Sequence, residues 1–349
     1  MENKLDSISQ FLKRGEFEYR LYDLGRKLTL LPNDLFQRIE DQTERYPCPF
    51  QQKARLALLF WSEFDKSEPT IWFLQFPIDE LGYLKLASRD AFMQELLVHV
   101  GSNLHAQQSG QKMQDSLKES AFAFKPRQDR LAIFHAFATV ELKQQPSPYY
   151  LPTQVYLKGK LGYERWEFLG LQGIADIIAR LQCENNEHLL SHALSKLPIP
   201  PLISFAENLE HAAVGAELSL ALKLRLQQEL VAKEINTQLV AALIRALSSS
   251  KEEATRQQVL NHILTMDVAK EIEVIAAIAG RAWQDITQKE LLPLFIQALA
   301  HQKQDAFNVI LIDIMGIPEV REPVLKVLRS PERTALLSKR IGGFFAGLS

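Results

Sequence analysis

Apolar positions recur at every second residue in parts of the first half of the chain, and at every third or fourth residue through most of the second. EFEYRLYDLG (16–25) alternates apolar and polar side chains, the period of a strand with one covered face, and Gly25 stops it. KARLALLFWSEF (53–64) and TIWFLQFPI (70–78) read as strands joined by the polar turn DKSEP (65–69). After IDELG, YLKLA (83–87) is expected as the next strand. These three are consecutive and joined by short turns, so they imply an antiparallel meander. Flanking helices are expected over 5–13, over 33–46 capped by Asn33 or Asp34, and over 89–100 capped by Ser88. Another is expected over 129–143, presenting Leu131, Phe134, Phe137 and Ala138, and the prolines of QPSPYYLPTQ break it. The polar run 101–128 reads as a mobile connection whose end is docked by Phe122 and Phe124. Residues 151–170 favour no element.

From residue 174 the period is helical. In NTQLVAALIRALS, Leu239, Val240, Leu243, Ile244 and Leu247 form one stripe. Ser250 to Glu253 and Thr287 to Glu290 have the spacing of capping boxes, and Asp267 reads as a cap. Gly316 ends a helix, and Pro318 suits a first helical turn, where its missing N–H costs nothing. Ser330-Pro331-Glu332 is expected to start the last helix in the same way. First helices of successive pairs should begin near 199, 236, 268, 304 and 332, at spacings of 37, 32, 36 and 28. Two-helix units of about 30–40 residues are the mark of an α-solenoid, in which each unit hides its apolar face by stacking on the next. IPEVREPVLKVL (317–328) resembles the first helix of a HEAT-type repeat. ELSLALKLRLQQEL (217–230) runs against the period, with leucine at 218, 220, 222, 224 and 226. It contains no β-branched residue, so a helix is expected, with leucines on two opposed sides as if packed between two layers.

Composition sharpens this division. Of the 31 aromatic residues, 25 lie in residues 1–170. Aromatic and β-branched side chains suit a pleated surface, whereas Leu, Ala, Gln, Glu and Lys suit helices. The chain of 349 residues also exceeds the roughly 250–300 at which a single core stops growing. The expected organisation is an antiparallel α+β module over 1–128, connecting helices over 129–173 and an all-α, HEAT-like α-solenoid over 174–349. A net charge of −2 offers no general attraction to nucleic acid or anionic lipid. Two cysteines, Cys48 and Cys183, make neither a disulfide framework nor a CxxC motif. No apolar run approaches the about 18 residues of a membrane span, and the N-terminus has no secretory pattern. A cytoplasmic location is expected.

EYRLYDLGRKL (18–28), followed by IWFLQFPIDELGYL (71–84), resembles an uncharacterised gammaproteobacterial family of similar length. The resemblance spans nearly the whole chain and implies a bacterial, cytoplasmic protein. That family carries no assigned activity, so the resemblance transfers no functional residue.

Catalytic signatures are missing. GxGxxG, GxxxxGK[ST], GxSxG and HExxH do not occur. EHLLSH sets His188 and His192 four apart on one helical face, a spacing that can hold zinc if a third ligand such as Glu207 or His211 joins them. The plainer reading is two polar positions on an exposed helix. His135 reads as a hydrogen-bonded core or edge histidine, Asp79-Glu80 as a turn, and Asp23 with Arg26 as an ion pair in a polar rim. Residues 174–349 hold 18 Lys and Arg against 20 Asp and Glu, without the basic stripe of a duplex-binding protein. Only the last segment leans basic, with Arg321, Lys326, Arg329, Arg333, Lys339 and Arg340.

These observations point to a protein-binding scaffold that presents a helical-repeat surface to another protein, with no catalytic residue, cofactor or metal assigned. Arg281 and Trp283 at a helix end are candidate contact residues, because Trp and Arg dominate interface hot spots. Phe344 and Phe345 are candidates too, or else cap the last repeat. Two alternatives stay open: an enzyme with a non-motif active site in a cleft between the halves, and nucleic-acid binding through the basic C-terminal segment.

Overall fold

The computed structural model describes residues 6–62, 65–100, 117 and 120–347. Most of the expected mobile connection, 101–128, lies outside the described residues. The chain forms two compact units, Met1–Arg130 with Gly316–Pro318, and Leu131–Met315 with Glu319–Ser349.

The first unit is built on a small antiparallel sheet. Its strands are β1 (Phe17–Asp23), β2 (Thr29–Leu31), β3 (Lys53–Ser62) and β4 (Asp65–Pro77), in the order β2-β1-β3-β4. Helices α1 (Ile8–Arg14), α2 (Asn33–Glu40) and α3 (Leu86–Val100) accompany it. Phe60, Trp72 and Phe76 of the sheet meet Phe11 of α1 and Phe92 of α3, with Phe60 and Trp72 edge-to-face at 4.7 Å. Aromatic pairs of this kind add to the burial of their area. The α1 N-terminus is satisfied twice. Ser7 accepts from the Gln10 N–H, and the buried Glu40 carboxylate accepts from the Ile8 and Ser9 N–H groups at 2.8 and 3.0 Å.

Three expectations for this unit need correction. The sheet is not a meander of consecutive strands: β2, only three residues long and too short to show a period, pairs with β1, and α2 then leads to β3 on the far side of β1. Asp65 to Pro69 is no turn but the first part of β4, paired from Asp65 to Ser62. Pro69 is tolerated there because β4 lies at the sheet edge. Residues 83–87 form no strand. Leu84 makes a single bridge to Ile78, and α3 begins at Leu86, so Ser88 lies inside the helix.

The second unit is helical. It holds α4 (Gln128–Glu141), α5 (Tyr150–Leu157), α6 (Leu171–Ala179), α7 (Asn186–Ala193), α8 (Ile199–Leu209), α9 (Ala216–Leu230), α10 (Thr237–Leu247) and α11 (Glu253–Leu264). A 3-10 turn at Asp267–Lys270 precedes α12 (Ile272–Arg281), α13 (Trp283–Ile286), α14 (Leu291–Leu299), α15 (Gln304–Met315), α16 (Pro318–Arg329) and α17 (Ala335–Ala346). Successive packing partners alternate. Helices α6, α8, α10, α12, α15 and α17 each meet the next in that series, and α5, α7, α9, α11 and α14 do the same. Leu239, Val240, Leu243, Ile244 and Leu247 of α10 are all buried, because α10 lies between α8 and α12.

Helix signals at the residue level were partly misplaced. Asn236 caps α10 through the Leu239 N–H, and Pro318 starts α16 as expected. Ser250 is not an N-cap: α11 begins at Glu253, and the Ser250 hydroxyl accepts from the Glu252 N–H and meets Ser219 Oγ at 2.6 Å. Thr287 donates to the Gln284 carbonyl instead of capping α14. The last helix is capped by Thr334, not Ser330. In α9, Leu218, Leu222 and Leu226 are buried, whereas Leu220 and Leu224 are 56% and 51% exposed. The helix therefore has one covered side and is not enclosed between two layers.

Candidate functional site on the second helical row

Local sequence places three donor groups together at the junction of α7 and α9. His188 and His192 stand four apart on α7, and their rings lie 4.1 Å apart between centroids. The approach of α9 depends on Gly215. Its N–H donates to Glu187 Oε1 at 2.5 Å, and a Cβ there would lie 2.6 Å from that oxygen, so a larger residue would make the Glu187 carboxylate shift. The preceding residue is fixed as well. The Val214 N–H donates to the Ser249 carbonyl, and the Val214 carbonyl accepts from the Lys251 N–H, each at 3.0 Å.

So held, the first turn of α9 points Glu217 at the histidines. Glu217 Oε1 lies 2.9 Å from His188 Nδ1 and 3.6 Å from His192 Nδ1. The helix dipoles favour this arrangement, a carboxylate in the first turn of α9 and an imidazole in the last turn of α7. His192 Nδ1 is also 3.1 Å from the His188 carbonyl. Among the described residues, these three are the group of His, Cys, Asp and Glu whose donor atoms converge closely enough to hold a metal ion. Leu220 and Leu224 continue the side of α9 that carries Glu217, at i+3 and i+7, and Val231 beyond the helix end is exposed too.

A second polar centre ties the other row together. Glu210, at the end of α8 and fully buried, accepts on Oε2 from Arg245 Nε of α10 at 2.5 Å and Arg281 Nε of α12 at 2.7 Å. His211 Nε2 is 3.3 Å from its other oxygen, and Arg245 also pairs with Glu207. Burial alone would lower the Arg245 pKa, but the two carboxylates outweigh it and raise the value above the ordinary one. Glu207 and His211, the suggested third zinc ligands, are thus part of this network. Glu217 takes that place, and no local pattern announces it, since it lies 25 and 29 residues beyond the histidines.

The remaining sequence candidates are scattered. Arg281 is held by Glu210, and Trp283 is 3% exposed. Phe344 is buried, while Phe345 is 55% exposed, the two rings edge-to-face at 5.4 Å. Asp79 organises a turn by accepting from the Leu81 and Tyr83 N–H groups at 2.9 and 2.8 Å. Asp23 and Arg26 lie in no polar rim; both are buried, and Asp23 accepts from Tyr46 Oη at 2.6 Å and the Gly25 N–H at 2.5 Å. His135 is half-buried, and burial lowers its pKa. In the basic tail, Arg333 and Arg340 donate to the Leu328 and Ala300 carbonyls at helix ends, at 2.5 and 3.0 Å, and Lys326 stands 3.6 Å from Glu322. Both cysteines are free thiols.

The described residues define a two-unit protein, an antiparallel four-stranded sheet with helices and a second unit of helices. Residues 3–345 match the family described as Protein of unknown function (DUF3549), and the chain belongs to that family. No curated protein and no solved structure matches it. Among the described residues, no helix is long and apolar enough to cross a membrane.

Proposed function

We propose that this chain is a cytoplasmic, bacterial protein-binding scaffold whose helical unit is a stack of HEAT-like pairs. The observation that carries the reading is the packing order: helices in each row meet the helix of the following pair. Helix starts at Ile199, Thr237 and Gln304 fit the expected periodicity. Stacks of this kind expose a continuous surface made of one helix per repeat, and binding is its usual use. The proposed contact surface is the outward stripe of α9, Leu220 and Leu224, with Phe345 as a second exposed anchor. Apolar side chains repeated along an exposed helix face favour a partner with a complementary apolar segment. Arg281, Trp283 and Phe344 support the stack from within.

Affinity purification of the full-length chain, compared with a Leu220→Asp/Leu224→Asp variant, tests this reading. A protein that co-purifies in stoichiometric amount with the wild type should be lost from the variant while helical content is unchanged. Retention of every partner by the variant would contradict the assignment.

A further inference from the structure

We propose that His188, His192 and Glu217 form a three-ligand site for a borderline-soft divalent cation of the zinc class, with one coordination position open to solvent. The proposal is independent of the scaffold reading. The donor set is the first ground. Two imidazoles and one carboxylate are a combination zinc accepts where three protein ligands leave a fourth place for water or another donor.

Geometry is the second ground. Both Nδ1 atoms address the same carboxylate oxygen, at 2.9 and 3.6 Å. Bonds of about 2.0–2.1 Å at tetrahedral angles set donor atoms about 3.3 Å apart, between those two distances. All three donors lie within 4.8 Å of one another. The third ligand is placed by backbone, not by chance: the Gly215–Glu187 contact and the Val214 hydrogen bonds fix the start of α9 against α7. Glu187 itself is occupied by the Gly215 N–H and by Gln182 Nε2 at 3.0 Å, so it does not compete for the ion.

The metal-free cluster has its own bonding. His188 Nδ1 lies within hydrogen-bond distance of Glu217 Oε1, and His192 Nδ1 within the same reach of the His188 carbonyl. A metal bound through both Nδ1 atoms takes the place of these contacts, and each neutral imidazole then carries its one proton on Nε2.

Titration calorimetry of the full-length, metal-free protein with zinc chloride at neutral pH tests the site. One zinc per chain is expected. All three side chains are more than half exposed, so a His188→Ala/His192→Ala variant should keep the wild-type circular dichroism and melting behaviour. Its zinc affinity should fall by at least about tenfold, as should that of Glu217→Gln, since losing even a partner that only orients a metal ligand typically costs about 10–100-fold. Cobalt in place of zinc should give a visible absorption band that the double variant lacks. The exposed thiol of Cys183 is a rival ligand, and the imidazole variants distinguish it. No saturable zinc binding by the wild type, or equal affinity in the double variant, would overturn the proposal.

Discussion

Asp23 carries a cost that its surroundings offset only in part. Burial pushes its carboxyl up to about 6 from an ordinary 3.8, against the opposing pull of Tyr46, the Gly25 N–H and Arg26. Between those values the folded chain holds a proton that the unfolded chain has released. Stability from this group is therefore fully present below the unfolded pKa and is lost as pH rises through the folded one. A shift of about two units corresponds to roughly 3 kcal/mol. Urea unfolding at pH 4 and pH 6.5 should show wild type losing most of that, about 2 kcal/mol, relative to Asp23→Asn, which cannot ionise. Equal pH dependence in the two proteins would contradict the assignment. The sequence named Asp23 and Arg26 as neighbours but not their burial. That burial comes from Tyr46 and the Pro49 carbonyl, to which Arg26 Nε donates at 3.1 Å, both more than twenty residues away. The same holds for Glu217, which joins the histidines only because two helices meet.

At the scale of elements, α9 is the sharpest case. Its alternating leucines carry the period of a strand, and only the lack of β-branched residues favoured helix. As a helix it buries Leu218, Leu222 and Leu226 on one side and presents Leu220 and Leu224 on the other. Leu222→Ala should destabilise the protein by about 2–5 kcal/mol, through lost burial and the cavity left behind. Leu220→Ala should change stability by less than about 0.5 kcal/mol. Thermal or urea melts of the two variants would separate them, and similar losses would mean that α9 is enclosed on both sides. Long periodic helices such as α10 were legible because their stripe is continuous. Caps were less so, because Ser250 and Thr287 have the right spacing yet spend their hydroxyls on tertiary or local contacts. Strand β2 left no trace at three residues, and the polar start of β4 looked like a turn because an edge strand tolerates proline and charge.

At the scale of the whole molecule, the change from a sheet with helices to helices alone was legible in composition, since aromatic residues concentrate before residue 170. The partners of each helix were not, because the sequence gives a stripe and not what covers it. In the second unit the stripes are covered by the helix two or, across α13, three places along, and side chains far apart in sequence seal that order. Glu210 links α8, α10 and α12, and Lys223 Nζ of α9 reaches Gln258 of α11 at 3.1 Å. The proposed scaffold role depends on this order, since a continuous outer surface requires neighbouring pairs to follow one another.

The order can be tested at Ser219 and Ser250, whose hydroxyl oxygens stand 2.6 Å apart across 31 residues of sequence. Ser219→Cys/Ser250→Cys, made in a chain lacking Cys48 and Cys183, should form an intramolecular disulfide under mild oxidation, read by mass spectrometry of non-reduced peptides. Two thiols that stay free in the folded protein, while either one alone is accessible on unfolding, would contradict the side-by-side arrangement of consecutive helical pairs.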